Sequence, residues 1–470
     1  AFAHHQGSVA APRNINIRWR NRMYKFRLVA PFMIVMLVLT ACPAGEGDGG
    51  GTGGSVAPGT SDGGGGGEAD GSITVTSLWG GAEETAFTAV LAAFEESTGI
   101  KAEYEANRTD YGTVLRTRIQ GGNPPDVAII PGIGTLRSLA REGSLISLSE
   151  LGIDQASIEG NYAPGILDVG VVDDELYGIM VKLNSKATIW YSPDRFAELG
   201  VEPAEDWEGL LALTEDITAA GGTPWALGAA DGWTLTDWFE ITYLKMNGVE
   251  AYDTLFSPEG DWTDPTVQAA IDQMLTVLNE DNVDGGADGA SATAFVDAVA
   301  KVFSTSPSAE LYYGGGFVGG IATGPDVNEE LQGQEGNAID WFPFPTIDGN
   351  GEGLVTYGGD VMAALVNDSD VKEFMEYLTT AEAGQIWAEG GTIISPITEV
   401  DTSVYPTSLI QAEADQVTSA EAVRFDGSDL LPAGQGDALG ALLQSAFRDE
   451  DTAGLIEEFQ AAVTTAWEEE

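Results

Sequence analysis

Histidine and cysteine are almost missing from this sequence. The two histidines are His4 and His5, and the one cysteine is Cys42. If everything before Cys42 is a removable leader, the remainder has no histidine, and no free thiol once Cys42 is modified. Ser-His-Asp and Cys-His nucleophilic catalysis, His- or Cys-ligated zinc, haem, iron–sulfur clusters and disulfides are then excluded. Carboxylates, lysine, tyrosine and serine are the main reactive groups left. Basic residues are scarce too. The 470 residues carry 20 Lys and Arg against 74 Asp and Glu, a formal net charge of −54. Six of the basic residues (Arg13, Arg18, Arg20, Arg22, Lys25 and Arg27) precede Cys42, where no acidic residue stands, so the rest of the chain carries −60. A surface so acidic repels nucleic acid and anionic headgroups. It reads as a solubility adaptation, salt included, or as a field that attracts a cationic ligand. The 43% hydrophobic content and the length allow two or three domain-sized units, each with its own core.

The N-terminal segment reads as targeting sequence. The chain opens on Ala1, and Met23 is a candidate start within it. From there Lys25 and Arg27 form a short basic region, and Leu28 to Leu39 is almost wholly apolar. That run is short for a bilayer span but suits a signal-peptide core. It ends in Leu39-Thr40-Ala41-Cys42, which resembles a bacterial lipobox, so Cys42 is expected to carry a lipid after cleavage before it. The alternative is an ordinary signal peptide with an incidental cysteine. Residues 43–72, rich in Gly, Ser and Asp, read as a flexible tether, with an r.m.s. reach of roughly 30 Å.

From residue 73 the pattern is globular α/β. Ile73 to Leu78 alternates like a strand and is broken by Trp79-Gly80-Gly81. Glu83 and Glu84 open a helix with Phe87, Val90, Leu91 and Phe94 at helical spacing. Further strands are expected at Ile100–Tyr104 and Asp126–Ile130, with helices at Val114–Ile119 and Leu136–Arg141. Strand and helix in alternation point to a doubly wound sheet whose ligands bind at the carboxyl ends of the strands. Those ends are Trp79-Gly80-Gly81 and Pro131-Gly132-Ile133. Two strands then follow in close succession, over Leu176–Asn184 and Ala187–Ser192. Beyond them a helix-rich α/β region is expected, with helices at Trp207–Ala219, Leu235–Met246, Thr266–Leu278 and Ala292–Phe303. A strand at Gly358–Val366 and helices at Val371–Leu378, Glu382–Trp387, Leu439–Phe447 and Thr452–Trp467 close the chain.

The serial order of these pieces resembles the extracellular solute-binding proteins of carbohydrate ABC importers, the maltose-binding group included. The residues that carry the likeness are Phe94-Glu-Glu-Ser-Thr-Gly-Ile100, Gly121-Gly-Asn-Pro-Pro-Asp126, Leu176-Tyr-Gly-Ile with Ile189-Trp-Tyr-Ser-Pro-Asp194, and Phe374 to Ala383. Trp79 to Glu84, Asp237-Trp238 and Arg424 to Asp429 resemble the alpha-glucoside-binding members more specifically. The resemblance implies a two-lobed, type II periplasmic-binding-protein-like fold, each lobe a doubly wound sheet with flanking helices, joined by a hinge. Lobe one would hold 73–181 plus 357–402 and lobe two 184–354 plus 408–470. It also implies a monomeric binder outside the cytoplasm, lipid-anchored at Cys42 to the cell membrane. The binder would carry no cofactor and perform no chemistry. It would close on a sugar and deliver it to the importer's membrane subunits. The same fold on a cationic or peptide-like solute, and a secreted glycosidase working with two carboxylates, are the competing readings.

A sugar needs aromatic planes for its C–H faces and carboxylates, amides and backbone N–H groups for its hydroxyls. The aromatic candidates beside expected loops are Trp79, Trp233, Trp238, Phe317 and Tyr357. Phe317 follows Tyr312-Tyr313-Gly-Gly-Gly316, where the resemblance implies a ligand-facing ring. Trp190, Trp225 and Trp341 sit in apolar runs and read as core. The polar candidates are Glu83 at a helix N-terminus, where the dipole alone would favour a carboxylate, and Asp360 after Gly358-Gly359. Lys182, Asp237, Arg424 and Asp426 follow, with surface ion pairing as the alternative. Gly80, Gly132 and Gly359 would let backbone approach the ligand. Maltose-binding members carry an aromatic residue in the last cleft segment, but Leu431-Pro-Ala-Gly-Gln-Gly-Asp437 has none, which argues against a long maltodextrin. Asp348-Gly-Asn-Gly-Glu-Gly353 resembles the start of a calcium loop but lacks its closing glutamate, so a hairpin turn is the better reading and no metal site is expected.

Overall fold

The computed structural model describes residues 71–107, 111–130, 132–162, 166–448 and 452–469. The targeting segment, Cys42 and almost all of the tether lie outside the described residues. The strands used below are β1 (Ser72–Ser77), β2 (Lys101–Ala106), β3 (Val127–Ile130), β4 (Gly178–Ser185), β5 (Thr188–Tyr191), β6 (Trp225–Ala226), β7 (Leu311–Gly314), β8 (Asp340–Pro343), β9 (Leu354–Ala364) and β10 (Ala422–Phe425). The helices are α1 (Ala82–Thr98), α2 (Ile133–Arg141), α3 (Trp233–Leu255), α4 (Phe295–Phe303), α5 (Phe317–Ala322), α6 (Ser408–Ser419) and α7 (Gln435–Phe447).

Two sheets organise the described chain. The first has the order β10-β9-β3-β1-β2, with β4 paired to β9. Its β1, β2 and β3 are parallel neighbours, whereas β9 runs antiparallel to β3 and β4. The second has the order β8-β5-β7-β6, and β5 is antiparallel to both its neighbours. Each sheet has helices against it, giving a two-lobed α/β fold. Strand β9 carries the expected 358–366 strand but starts earlier. Its first residues pair with β10 and its later ones with β4 and β3.

Alternation explains where the cores lie. In β5, Ile189 and Tyr191 enter one core with Trp225, Trp238 and Phe344, while Trp190 points to the other face and joins Tyr312, Val302 and Phe303. All four residues of β5 are buried, so the second sheet is covered on both faces. The first sheet has its own core, built from Val75, Phe87, Ile129, Met362, Phe374 and Trp387 among others. Only Lys186 and Ala187 separate β4 in the first sheet from β5 in the second. The two lobes therefore meet at a crossing two residues long.

Local signals set the helix ends. Gly81 (φ 64°) precedes α1, and Gly99 in the left-handed region ends it with its amide on the Glu95 carbonyl. Asp206 caps the helix Trp207–Ala219, its side chain accepting from the Gly209 amide. The expected Leu235–Met246 helix belongs to α3, whose helical path breaks at Gly248. No helix among the described residues is long and apolar enough to cross a membrane.

Candidate functional site

A cavity of about 520 Å³ lies where both sheets end. Leu78 and Trp79 after β1, Gly132 and Gly134 at the start of α2, and Lys182, Asn184 and Gly358 to Asp360 on the β4–β9 pair border it from one lobe. Trp233, Phe295, Phe317 and Ile321 border it from the other, together with the stretch from Asp426 to Asp437. The strand ends after β1 and β3, expected to face a ligand, both border this cavity. Gly134 explains how closely the two sides approach, since a Cβ there would fall 2.0 Å from the Leu431 carbonyl oxygen.

One wall is aromatic. Trp233 meets Phe295 at 5.2 Å and Phe317 at 5.9 Å between ring centroids, both edge-to-face, and Phe295 meets Phe317 at 6.2 Å. All three rings are only part-buried. The facing wall is charged and internally paired. Lys182, 5% exposed, donates to Glu83 at 2.5 Å and lies 3.1 Å from Asp360. Burial pulls the Lys182 ammonium toward neutrality, but Asp360 and Glu83 outweigh it and hold the group charged above its ordinary range. Lys186 repeats the arrangement from the crossing, donating to Asp237 at 2.8 Å and to Asp426. Its burial too is outweighed by its two carboxylates.

Behind this second pair the acids outnumber the bases. Burial, opposed by Lys186 and reinforced by Asp426, raises Asp237 to about 7. Burial and the Asp426 charge push Asp429 and Glu240 well above the carboxylate range. Asp426 itself is held low: burial opposes this, but Lys186 overrides it. Glu240 accepts from the Gly427 and Ser428 amides at 2.7 and 3.0 Å and from Tyr252 at 3.2 Å. Asp429 borders the cavity with its carboxyl.

The structure brings Glu83, Gly132, Lys182, Trp233, Phe317, Gly359, Asp360 and Asp426 to this one cavity. Gly80 borders a neighbouring recess of about 50 Å³, which Glu83, Phe295 and Phe317 also line. Asp237 sits under the floor, bound to Lys186. Four expectations need correction. Trp79 borders the cavity but is 1% exposed, wedged edge-on between Phe87 and Trp387, with Lys182 above its ring. Its Nε1 donates to Asp360 at 2.9 Å, so it orients a carboxylate and offers no open plane. Trp238 is core, packed on Trp225, Tyr313 and Phe344. Five residues along a helix from Trp233, it points about 140° away from the cavity side. Tyr357 is buried edge-on against Phe425 of the adjacent strand. Arg424 lies outside the cavity and pairs with Asp253 through two N–H groups.

Sequence reading missed Asn184, Lys186, Phe295 and Asp429. Phe295 opens an amphipathic helix and looked like its apolar stripe. Lys186 stood four residues from Lys182 in an otherwise apolar run, the same signal that singled out Lys182. The ring-free stretch 431–437 does border the cavity. The calcium-like loop 348–353 is a turn whose Gly351 carbonyl accepts from Lys245 at 2.7 Å. Among the described residues, no cluster of His, Cys, Asp or Glu is arranged to hold a metal ion.

Comparison with known proteins agrees with this geometry. The model of the bacterial extracellular solute-binding protein family matches residues 79–385. The osmoprotective compounds-binding protein GgtB of Synechocystis sp. is 30% identical over 417 residues, 88% of this chain and 93% of GgtB. The alpha-glucosides-binding periplasmic protein AglE of Rhizobium meliloti is 30% identical over 376 residues, 77% of this chain and 80% of AglE. Among solved structures, the bacterial solute receptor AcbH has a TM-score of 0.74 at 19% identity, over 84% of this chain and 98% of its own. RafE in complex with raffinose gives 0.66 at 18% identity, over 84% and 99%. The solved structures carry the likeness of fold, and the sequence matches carry descent. With the matched stretch running from the cavity's first tryptophan through both sheets to the helix Ala381–Glu389, the chain belongs to the bacterial extracellular solute-binding proteins.

Proposed function

We propose that this protein captures a small neutral sugar, an alpha-glucoside or similar short saccharide, and delivers it to the membrane subunits of an ABC importer. The observation that carries this reading is the facing of three part-exposed rings by carboxylates already paired with lysines. A pyranose has an apolar face for the rings and a rim of hydroxyls for the carboxylates and ammonium groups. The single aromatic wall and the ring-free stretch 431–437 favour a short ligand over a chain that needs successive platforms. The name of AglE, for alpha-glucosides, supports the same class. In this reading Glu83, Lys182, Trp233, Phe317, Asp360, Asp426 and Asp429 contact or orient the sugar. The lobes divide close to 73–181 with 357–402 and 184–354 with 408–470, except that β10 (Ala422–Phe425) pairs into the first sheet, and Cys42 carries the lipid that holds the protein at the outer face of the membrane.

The test is calorimetric titration with mono-, di- and trisaccharides. Micromolar or tighter binding of a short neutral sugar is expected, and none across such a panel would refute the reading. One observation favours a second reading. The cavity is bordered by five carboxyl groups (Glu83, Asp360, Asp426, Asp429 and Asp437) and by the two lysines. A cationic solute would use that excess, and polyamines in the same titration decide between the two. Steady turnover of aryl glycosides would instead mark an enzyme.

A further inference from the structure

The crossing between the sheets is gripped by one helix. α6 puts Leu409 into the core that holds Trp190 and Tyr312, and Ile410 and Ala414 into the core of the first sheet. It therefore packs with both lobes at the point where β4 passes into β5. Its Glu413, 2% exposed, accepts from the Ser185 amide at 2.8 Å. Gly316, just ahead of α5, stands against the same carboxyl group. A Cβ there would lie 1.8 Å from a Glu413 oxygen, so a larger residue would push that carboxyl off its place. The Gly316 amide donates to the Ser185 carbonyl at 3.0 Å. Nearly one turn further along α6, Gln416 accepts from the Ser185 hydroxyl at 2.6 Å and donates to the Ala187 carbonyl at 3.1 Å. Ser185 is thus held at its amide, hydroxyl and carbonyl. The strand beside it is the opposite case. Gly358 and Gly359 of β9 pair with Asn184 and Leu183, and the ladder shifts register just after them, between Asp360 and Val361.

We propose that α6 is the fixed pin of the interlobe hinge. Glu413 and Gln416 immobilise the Ser185 end of the crossing, so lobe rotation is taken up at Gly358-Gly359. The abutment of Glu413 on Gly316 limits how far the lobes turn. Glu413 borders no part of the ligand cavity, so it is a positioning residue: its stop against Gly316 bears on one end of the rotation and not on the other, and it thereby biases the populations of open and closed forms, on which apparent affinity depends. The pin does not depend on what the cleft binds, and it is tested without ligand.

Spin labels on Glu96→Cys and Glu215→Cys, both exposed and one against each sheet system, report the interlobe distance distribution of the full chain with Cys42→Ser. Glu413→Ala should change the ratio of the distance populations by roughly five-fold, the weight of one lost hydrogen bond. Gln416→Ala should shift it the same way, and Glu413→Gln, which keeps the acceptor for the Ser185 amide, should restore the wild-type distribution. A merely structural role would lower the melting temperature and leave the distribution unchanged, and that result overturns the proposal. If Glu413→Ala does not fold, Gln416→Ala decides alone, and an unchanged distribution then refutes the pin.

Discussion

Glu413 gives the sharpest quantitative expectation. Burial is the main influence on its carboxyl, opposed by the hydrogen bond from Ser185, and the group is raised from 4.5 to about 8. In the unfolded chain the proton leaves near 4.5, whereas in the folded chain it stays until about 8. Between those values the folded state binds more protons, so stability falls as pH rises through the window and levels off above it. At about 1.4 kcal/mol per pH unit the whole window corresponds to roughly 5 kcal/mol. Glutamine mimics the protonated form at every pH. Glu413→Gln should therefore match wild type near pH 4.5 and gain on it steadily toward pH 8. For a folded part of roughly 400 residues, with an unfolding entropy of about 2.1 cal/mol/K per residue, the full gap is about 6 °C in melting temperature. Scanning calorimetry of both proteins from pH 4.5 to 9 measures it. A gap that stays constant across that range, or that closes as pH rises, would refute a buried, proton-retaining carboxyl at the crossing.

Other perturbations probe the cavity. Trp233→Ala should weaken sugar binding on the order of ten-fold or more while shifting the melting temperature little, because the ring is only part-buried; titration calorimetry beside a thermal melt separates the two effects. Asp429, whose charged form is disfavoured by burial and by Asp426, should tolerate Asp429→Asn with affinity nearly intact, whereas Asp429→Ala should lose roughly five-fold; equal losses in both would show that the charge matters after all. Lys186→Met strands Asp237 and Asp426 in a buried site, and urea melts should show a loss of roughly 3–5 kcal/mol that grows with pH as those carboxyls are forced to ionise.

The first lobe and the long helices of the second were legible in the sequence, while the short elements of the second were not, and the reason is local. Val127 to Ile130 is a continuous apolar run ended by a loop, and α1 has its apolar residues at helical spacing between two glycines, so period and punctuation agree. In the second lobe, β7 reads Leu-Tyr-Tyr-Gly and α5 reads Phe-Val-Gly-Gly-Ile-Ala. Neither carries a period, because both are buried on more than one side. The site divides in the same way. Glu83 at a helix start and Asp360 after two glycines were found from their positions in the sequence, whereas Lys186 was not. Aromatic residues could not be sorted that way: Trp79, Trp233 and Trp238 all stand beside expected loops, and only the rotation of α3 and the packing of Trp387 decide which ring meets the cavity.

The pairing inside the cleft also bears on the charge of the chain. A formal −54 would draw any cation toward the protein and, left uncompensated, would make the cleft a cation trap. Two of the few lysines are spent where the ligand would sit, each lying between two carboxylates. A free cation would have to displace an ammonium group that is tethered at zero translational cost. A neutral polyol displaces nothing: it can accept from the lysines and donate to carboxylate lone pairs that the lysines leave open. Behind Lys186, burial and the Asp426 charge disfavour the ionised forms of Asp429 and Glu240, which lessens the negative charge on the floor while leaving its hydrogen-bonding groups in place. The outer surface and the cleft thus face different demands, and the paired lysines let an acidic protein hold an uncharged guest.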